Sequence, residues 1–102
     1  MKVDFLKSKY NIVITSRFKK DYKKIIKQNK DKNKLIYILE KLANGELLET
    51  QYKDHSLINN KVYKNCRECH IEPDWLLIYK YKTNESVLLL VATGSHSELF
   101  DL

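Results

Sequence analysis

Two apolar runs in the C-terminal third, Trp75-Leu76-Leu77-Ile78-Tyr79 and Val87-Leu88-Leu89-Leu90-Val91, show no alternation of apolar and polar residues. A strand turns successive side chains to opposite faces, so an unbroken apolar run of this length is covered on both. Such runs belong to central strands of a sheet. They are separated by Thr83-Asn84-Glu85, and a third β-rich stretch precedes them across Glu72-Pro73-Asp74. Connections this short force antiparallel neighbours, so the spacing predicts strands over 62–71, 75–82 and 86–93 in a meander.

The preceding residues supply something to cover that sheet. Tyr10-Asn11-Ile12-Val13-Ile14-Thr15 is short and β-branched, which predicts a strand. Ser16 is the expected cap of a following helix, in which Phe18, Tyr22, Ile25 and Ile26 share one side and the lysines mostly take the other. Asn29-Lys30-Asp31 breaks it, Asp31 or Asn33 caps a second helix, and Leu35, Ile38, Leu39 and Leu42 repeat the pattern up to Asn44-Gly45. So short a turn predicts an antiparallel helix hairpin. Residues 1–9 form a charged N-terminal extension. Residues 46–60 show no period and are expected as a long loop carrying His55. The fold class expected is α+β, ordered β-α-α-β-β-β, with an antiparallel sheet on a two-helix hairpin and a short helical turn over 97–102. Residues 1–102 are expected as one domain. Helices on one face would leave the other face of the sheet open for function.

Nineteen Lys and Arg against thirteen Asp and Glu leave a net charge of +6. In so small a domain this points to a polyanionic partner, nucleic acid or an acidic protein, with a merely soluble basic surface as the alternative. The first residues carry no apolar leader, and no apolar run approaches the roughly 18 residues of a membrane span. A cytoplasmic chain with reduced cysteines and no membrane partner is expected.

Cys66-x-x-Cys69-His70 matches a haem-attachment pattern. Strand geometry argues against it, because residues three apart on a strand point to opposite faces and the sulfurs diverge. The same divergence argues against a redox pair and against zinc held by Cys66, Cys69, His70 and His55. Two small, half-buried thiols are expected, with no metal and no cofactor. Parity also places Glu68 and His70 on one face and Arg67, Cys69 and Ile71 on the other. If the helices cover Cys69 and Ile71, Glu68 and His70 project into an open groove and Arg67 is structural, pairing at an edge or snorkelling.

Histidine moves protons near neutral pH. His70 and His96 stand at the ends of β-like runs, His55 lies in the long loop, and Asp74 follows His70 by four residues. A lone surface histidine is usually only solvated; this combination predicts an acid–base site. No nucleophile elbow, phosphate loop or paired-carboxylate motif is present.

From about Ile12 onward the chain resembles the RelE/ParE superfamily of bacterial toxins, and within it the YafQ-type mRNA interferases. The resemblance is densest in Asp54-His55, in Arg67-Glu68-Cys69-His70-Ile71-Glu72-Pro73-Asp74-Trp75 and in Gly94-Ser95-His96-Ser97-Glu98-Leu99-Phe100. It implies a type II toxin that cuts mRNA in the ribosomal A site and is silenced by a cognate acidic antitoxin, with DNA contacted only through that antitoxin. It implies His96 as the principal catalytic histidine, His55, His70 and Asp74 as further catalytic residues, and Glu68 and Phe100 as substrate-binding residues. The chemistry it implies needs no metal. His96 acts as general acid, and His70 or His55 as base, with Asp74 orienting or sharing that role. Two alternatives share the superfamily fold: a ParE-like gyrase poison, and a weakly active RNA- or ribosome-binding member. The chain departs from the family pattern at Ala92, where related sequences often carry arginine, so that Lys80, Lys82 or Arg67 must supply a cation. It departs again at Asn60-Lys61-Val62-Tyr63, which replaces a Gly-x-Trp segment, and in its first nine residues.

Overall fold

The computed structural model describes residues 8–100. The predicted extension therefore lies mostly outside the described residues, as do the last two residues of the predicted C-terminal turn. In chain order the elements are β1 (Asn11–Ile14), α1 (Ser16–Lys27), α2 (Lys32–Ala43), β2 (His55–Ser56), β3 (Arg67–Glu72), β4 (Trp75–Lys82), β5 (Val87–Gly94) and α3 (His96–Phe100). The five strands form one sheet in the order β1-β5-β4-β3-β2. The predicted meander is its centre: β3, β4 and β5 pair antiparallel. β1 adds to β5 in parallel, so the sheet is only mostly antiparallel.

Helix boundaries follow local chemistry. The cap of α1 is Thr15 rather than Ser16: its hydroxyl accepts from Phe18 N at 3.0 Å and donates to Val91 O at 2.7 Å. One hydroxyl thus caps the helix and pins it to β5. Asp31 caps α2 through Asn33 N at 2.9 Å.

β4 is buried on both faces, as its apolar run requires: Trp75, Leu76, Leu77, Ile78 and Tyr79 are all 0% exposed. Trp75, Leu77 and Tyr79 face Phe18, Ile25, Leu35, Ile38 and Leu42 of the helix hairpin. Leu76 and Ile78 face a second, smaller cluster of Tyr63, Cys66, Ala92 and Leu99. β5 buries Leu88 and Leu90 toward the helices and Ala92 toward the second cluster; Val87, Leu89 and Val91 are half-buried. The face away from the helices is therefore not wholly open. The 57–66 loop and α3 cover part of it, and the groove that remains is the row carrying the histidines.

That loop corrects the expected strand at 62–71, which starts only at Arg67. Tyr63 and Cys66 turn inward as anchors, and Asn59 and Asn65 adopt left-handed φ values of 59° and 60°, which asparagine tolerates better than most residues. The expected loop over 46–60 contains a 3-10 turn at Thr50–Tyr52 and the two residues of β2. Both cysteines are fully buried rather than half-buried, and they occupy different clusters on opposite faces of the sheet. Burial pushes both thiols above their ordinary range.

Where β1 ends, the exposed edge of β5 is satisfied by side chains. Thr93 N donates to Asp21 Oδ2 of α1 at 3.1 Å. The Thr93 hydroxyl accepts from Trp75 Nε1 at 2.9 Å and donates to Leu76 O at 2.6 Å. Replacing Thr93 by valine keeps the shape but leaves the buried indole N–H without an acceptor. The Thr93→Val variant should lose about 1–3 kcal/mol in urea unfolding; a loss under about 0.5 kcal/mol would contradict this role.

Candidate active site

Each of the predicted catalytic residues is placed by a separate element. β2 pairs antiparallel with β3, so His55 stands opposite Glu68, and His70 stands opposite Leu76 of β4. Cys69 and Ile71 pack under the helices, which turns Glu68 and His70 to the groove as parity predicts. Asp74 is exposed at the tip of the two-residue turn joining β3 to β4. His96 is the first residue of α3. Ser95 and Glu98 form a reciprocal cap there: Ser95 N donates to Glu98 Oε1 at 2.9 Å, and Glu98 N donates to Ser95 Oγ at 3.2 Å. The Ser95-x-x-Glu98 spacing is a local signal for a helix beginning at His96, one residue earlier than the predicted turn.

These elements bring four groups into one row. His96 donates twice to Asp74 Oδ1, from its backbone N at 2.8 Å and from ring Nδ1 at 2.6 Å. The His70 ring centroid lies 5.5 Å from that of His96 and 6.4 Å from that of His55. Glu68, 5% exposed, lies beneath, with Oε1 at 3.2 Å from His70 Nε2 and 3.6 Å from His55 Nε2. Asp74 thus contacts His96, not His70 or His55. The carboxylate beside those two rings is Glu68.

The contacts assign ring protons. A carboxylate and a carbonyl only accept, so His96 carries a proton on Nδ1 toward Asp74 and its Nε2 is not used in that contact. His55 likewise carries one on Nδ1, toward Lys53 O at 2.6 Å. At His70 the contact to Glu68 uses Nε2, leaving Nδ1. The two bonds from His96, the backbone one first, hold the Asp74 carboxyl below the usual carboxylate range.

One supporting group has no local sequence signal. Asp54 accepts from Tyr79 Oη and, at 3.1 Å, from Arg67 Nη2, while Arg67 Nη1 donates to Ser56 Oγ at 2.9 Å. With Lys53 in a left-handed conformation, φ 49°, this clamp fixes both neighbours of His55 on the sheet edge. Of the two structural readings of Arg67, edge pairing is the one observed.

Phe100 is half-buried and packs edge-on to Tyr63, with centroids 5.5 Å apart. Ala92 is fully buried in the second cluster. Of the three cations considered in its place, Arg67 is engaged by Asp54. Lys82 is exposed at the far end of β4. Lys80 shares the groove face of β4 with Leu76 and Ile78. Among the described residues no group of three or more His, Cys, Asp or Glu side chains is arranged to hold a metal ion.

Because the Asp74 carboxyl titrates below its ordinary value of 3.8 when folded, its stabilising effect is present above that pH and is lost as pH falls through the folded value. The gap in melting temperature between wild type and Asp74→Asn should therefore be larger at about pH 6 than at about pH 3. An unchanged gap would contradict the His96–Asp74 pairing.

Comparison with known proteins places this geometry in a family. Residues 10–101 match the family model for the bacterial toxin of type II toxin–antitoxin systems, YafQ. The protein named mRNA interferase toxin YafQ from Escherichia coli (strain K12) is 41% identical over 91 residues, covering 88% of this chain and 95% of the relative. Among solved structures, a metal-bound toxin from Helicobacter pylori superposes with TM-score 0.81 at 43% identity, over 87% of this chain and 97% of that one. A chain from the E. coli DinJ–YafQ complex superposes with TM-score 0.79 at 40% identity, over 89% and 98%. No helix among the described residues is long and apolar enough to cross a membrane. The chain belongs to the YafQ family of toxins of type II toxin–antitoxin systems.

Proposed function

We propose that this toxin is an mRNA interferase, a ribosome-dependent endoribonuclease that cuts mRNA in the A site by acid–base chemistry without a metal. The observation that carries the reading is the His96–Asp74 pair standing 5.5 Å, ring to ring, from His70, which in turn shares Glu68 with His55. Two imidazoles at that separation, each fixed through one nitrogen, leave their other nitrogens to flank a phosphate.

His70 Nδ1 takes the proton of the RNA 2′-hydroxyl, and the oxygen attacks the adjacent phosphorus. The bond from phosphorus to the 5′-oxygen breaks, and His96 Nε2 gives that oxygen a proton. The products are a 2′,3′-cyclic phosphate and a 5′-hydroxyl. Asp74 stabilises the charged ring of His96 before transfer and orients it throughout. Glu68 does the same for His70 as it gains its proton. This favours His70 over His55 as base, since His70 is the ring nearer to His96. His55, clamped by Asp54, lines the groove beside Glu68. Phe100 offers a half-buried ring on which a neighbouring base stacks.

The relatives support both the activity and a partner: one is named an mRNA interferase, and another was solved bound to its antitoxin DinJ. A cognate antitoxin with an acidic wrapping segment suits a chain of net charge +6. Any operon binding would run through the antitoxin.

Induced expression tests the reading. Wild type should arrest growth and leave codon-phased breaks in mRNA. His96→Gln should keep the fold and lose about 10²–10⁴-fold of the cleavage rate. Undiminished arrest in that variant, or an SOS response without breaks, would overturn it; the latter is the outcome of a gyrase poison.

A further inference from the structure

The 57–66 loop is closed at its base by Leu57 N donating to Cys66 O at 2.9 Å. Its anchor, Tyr63, is 3% exposed and donates to Leu99 O at 2.8 Å, in the same short helix that begins at His96. Between this loop and β4 runs an open groove of about 980 Å³. Lys61, Lys64, Arg67 and Lys80 line it, and no Asp or Glu does. Arg67 is paired with Asp54. None of the ion pairs among the described residues uses Lys61, Lys64 or Lys80. Three ammonium groups with no ion-pair partner among the described residues thus face one concavity, where low-dielectric walls strengthen their field.

The groove continues the histidine row. Leu76 of β4 pairs with His70, and Ile78 pairs with both Glu68 and Ala92. Lys80 follows on the same face. Four residues of strand separate Leu76 from Lys80, about 13 Å at roughly 3.3 Å per residue. One nucleotide does not span that distance and two do. Exposed lysines also stud α1, at Lys19, Lys20, Lys23 and Lys27, but that convex surface lies behind the sheet, away from the histidines. Asn59 and Asn65 also line the groove and make no side-chain hydrogen bond within the described chain. Their amides offer both a donor and an acceptor to a base edge.

We propose that this groove is a second RNA subsite, in which Lys64 and Lys80 hold the phosphate about two nucleotides from the scissile one and Lys61 extends the contact. The inference rests on the nuclease reading, since the strand in the groove is the one the histidines cut. It also gives Lys80 a role that differs from replacing the cation missing at Ala92: it binds the strand rather than the reacting phosphate.

The test uses the full chain carrying His96→Gln, so that RNA is bound and not consumed. Fluorescence anisotropy with a ten-nucleotide oligouridine and a three-nucleotide one, over a salt series, is compared with and without Lys64→Gln and Lys80→Gln. The double substitution should weaken the ten-mer about tenfold and lower its log–log salt slope by about 1.4, roughly 0.7 for each lost phosphate contact, while leaving the three-mer unchanged. Equal affinity and slope for the ten-mer would overturn the subsite. So would a loss seen only with a poly-glutamate peptide, which would make the groove an acidic-protein surface. Cleavage in cells by the otherwise wild-type chain is the separate control. A chain that leaves mRNA intact sinks the nuclease reading and the subsite with it. A chain that cuts mRNA while the lysine variants bind oligouridine as before sinks the subsite alone.

Discussion

The bond between Trp75 Nε1 and the Thr93 hydroxyl, with the onward bond to Leu76 O and the one from Thr93 N to the Asp21 carboxylate, ties three elements at one point. β4 begins there, β5 ends there, and α1 lies across them. Asp74 precedes Trp75 by one residue and His96 follows Thr93 by three. The contact between Asp74 and His96 joins an exposed residue to a half-buried one, and an isolated surface ion pair is weak. It is held because the strand ends carrying it are locked beneath by buried polar bonds that would be costly to leave unmade.

Burial on both faces of β4 has a second consequence. The helix side of the sheet is an ordinary two-layer core. The opposite side has a small cluster built from the 57–66 loop and α3, with Tyr63 and Leu99 as its larger members. That cluster seats the helix carrying His96 against the sheet carrying His70. Ala92 belongs to it. A long charged side chain at that position would have to escape the space now filled by Tyr63, Cys66 and Leu99. Ala92 and Tyr63 thus meet in one apolar cluster.

Much of this was legible in the residues. The apolar run of β4 announced a strand covered on both faces, helix periodicity located α1 and α2, and strand parity set Glu68 and His70 apart from Cys69 and Ile71. What parity could not show was partnership across the chain. Asp74 is four residues from His70 in sequence, yet it reaches His96 because a hairpin turn and a helix start meet in space. The two residues of β2 are too few for any period, and the clamp of Asp54 by Tyr79 and Arg67 spans 25 and 13 positions. The start of β3 was placed too early because Val62 and Tyr63 have strand-forming side chains, whereas the burial of Tyr63 in a loop overrode that propensity. The one local signal left unread was the reciprocal cap of Ser95 and Glu98.

The central claim is that His70 and His96 act as base and acid on a 2′-hydroxyl and its adjacent phosphate. The chemistry of the broken ends tests it most directly. RNA recovered after induction, with its termini typed by enzymes that distinguish phosphate from hydroxyl, should carry 2′,3′-cyclic phosphates upstream of each break and 5′-hydroxyls downstream. Breaks ending in 3′-hydroxyls and 5′-phosphates would mean that water, not the 2′-hydroxyl, attacked, and would contradict the account.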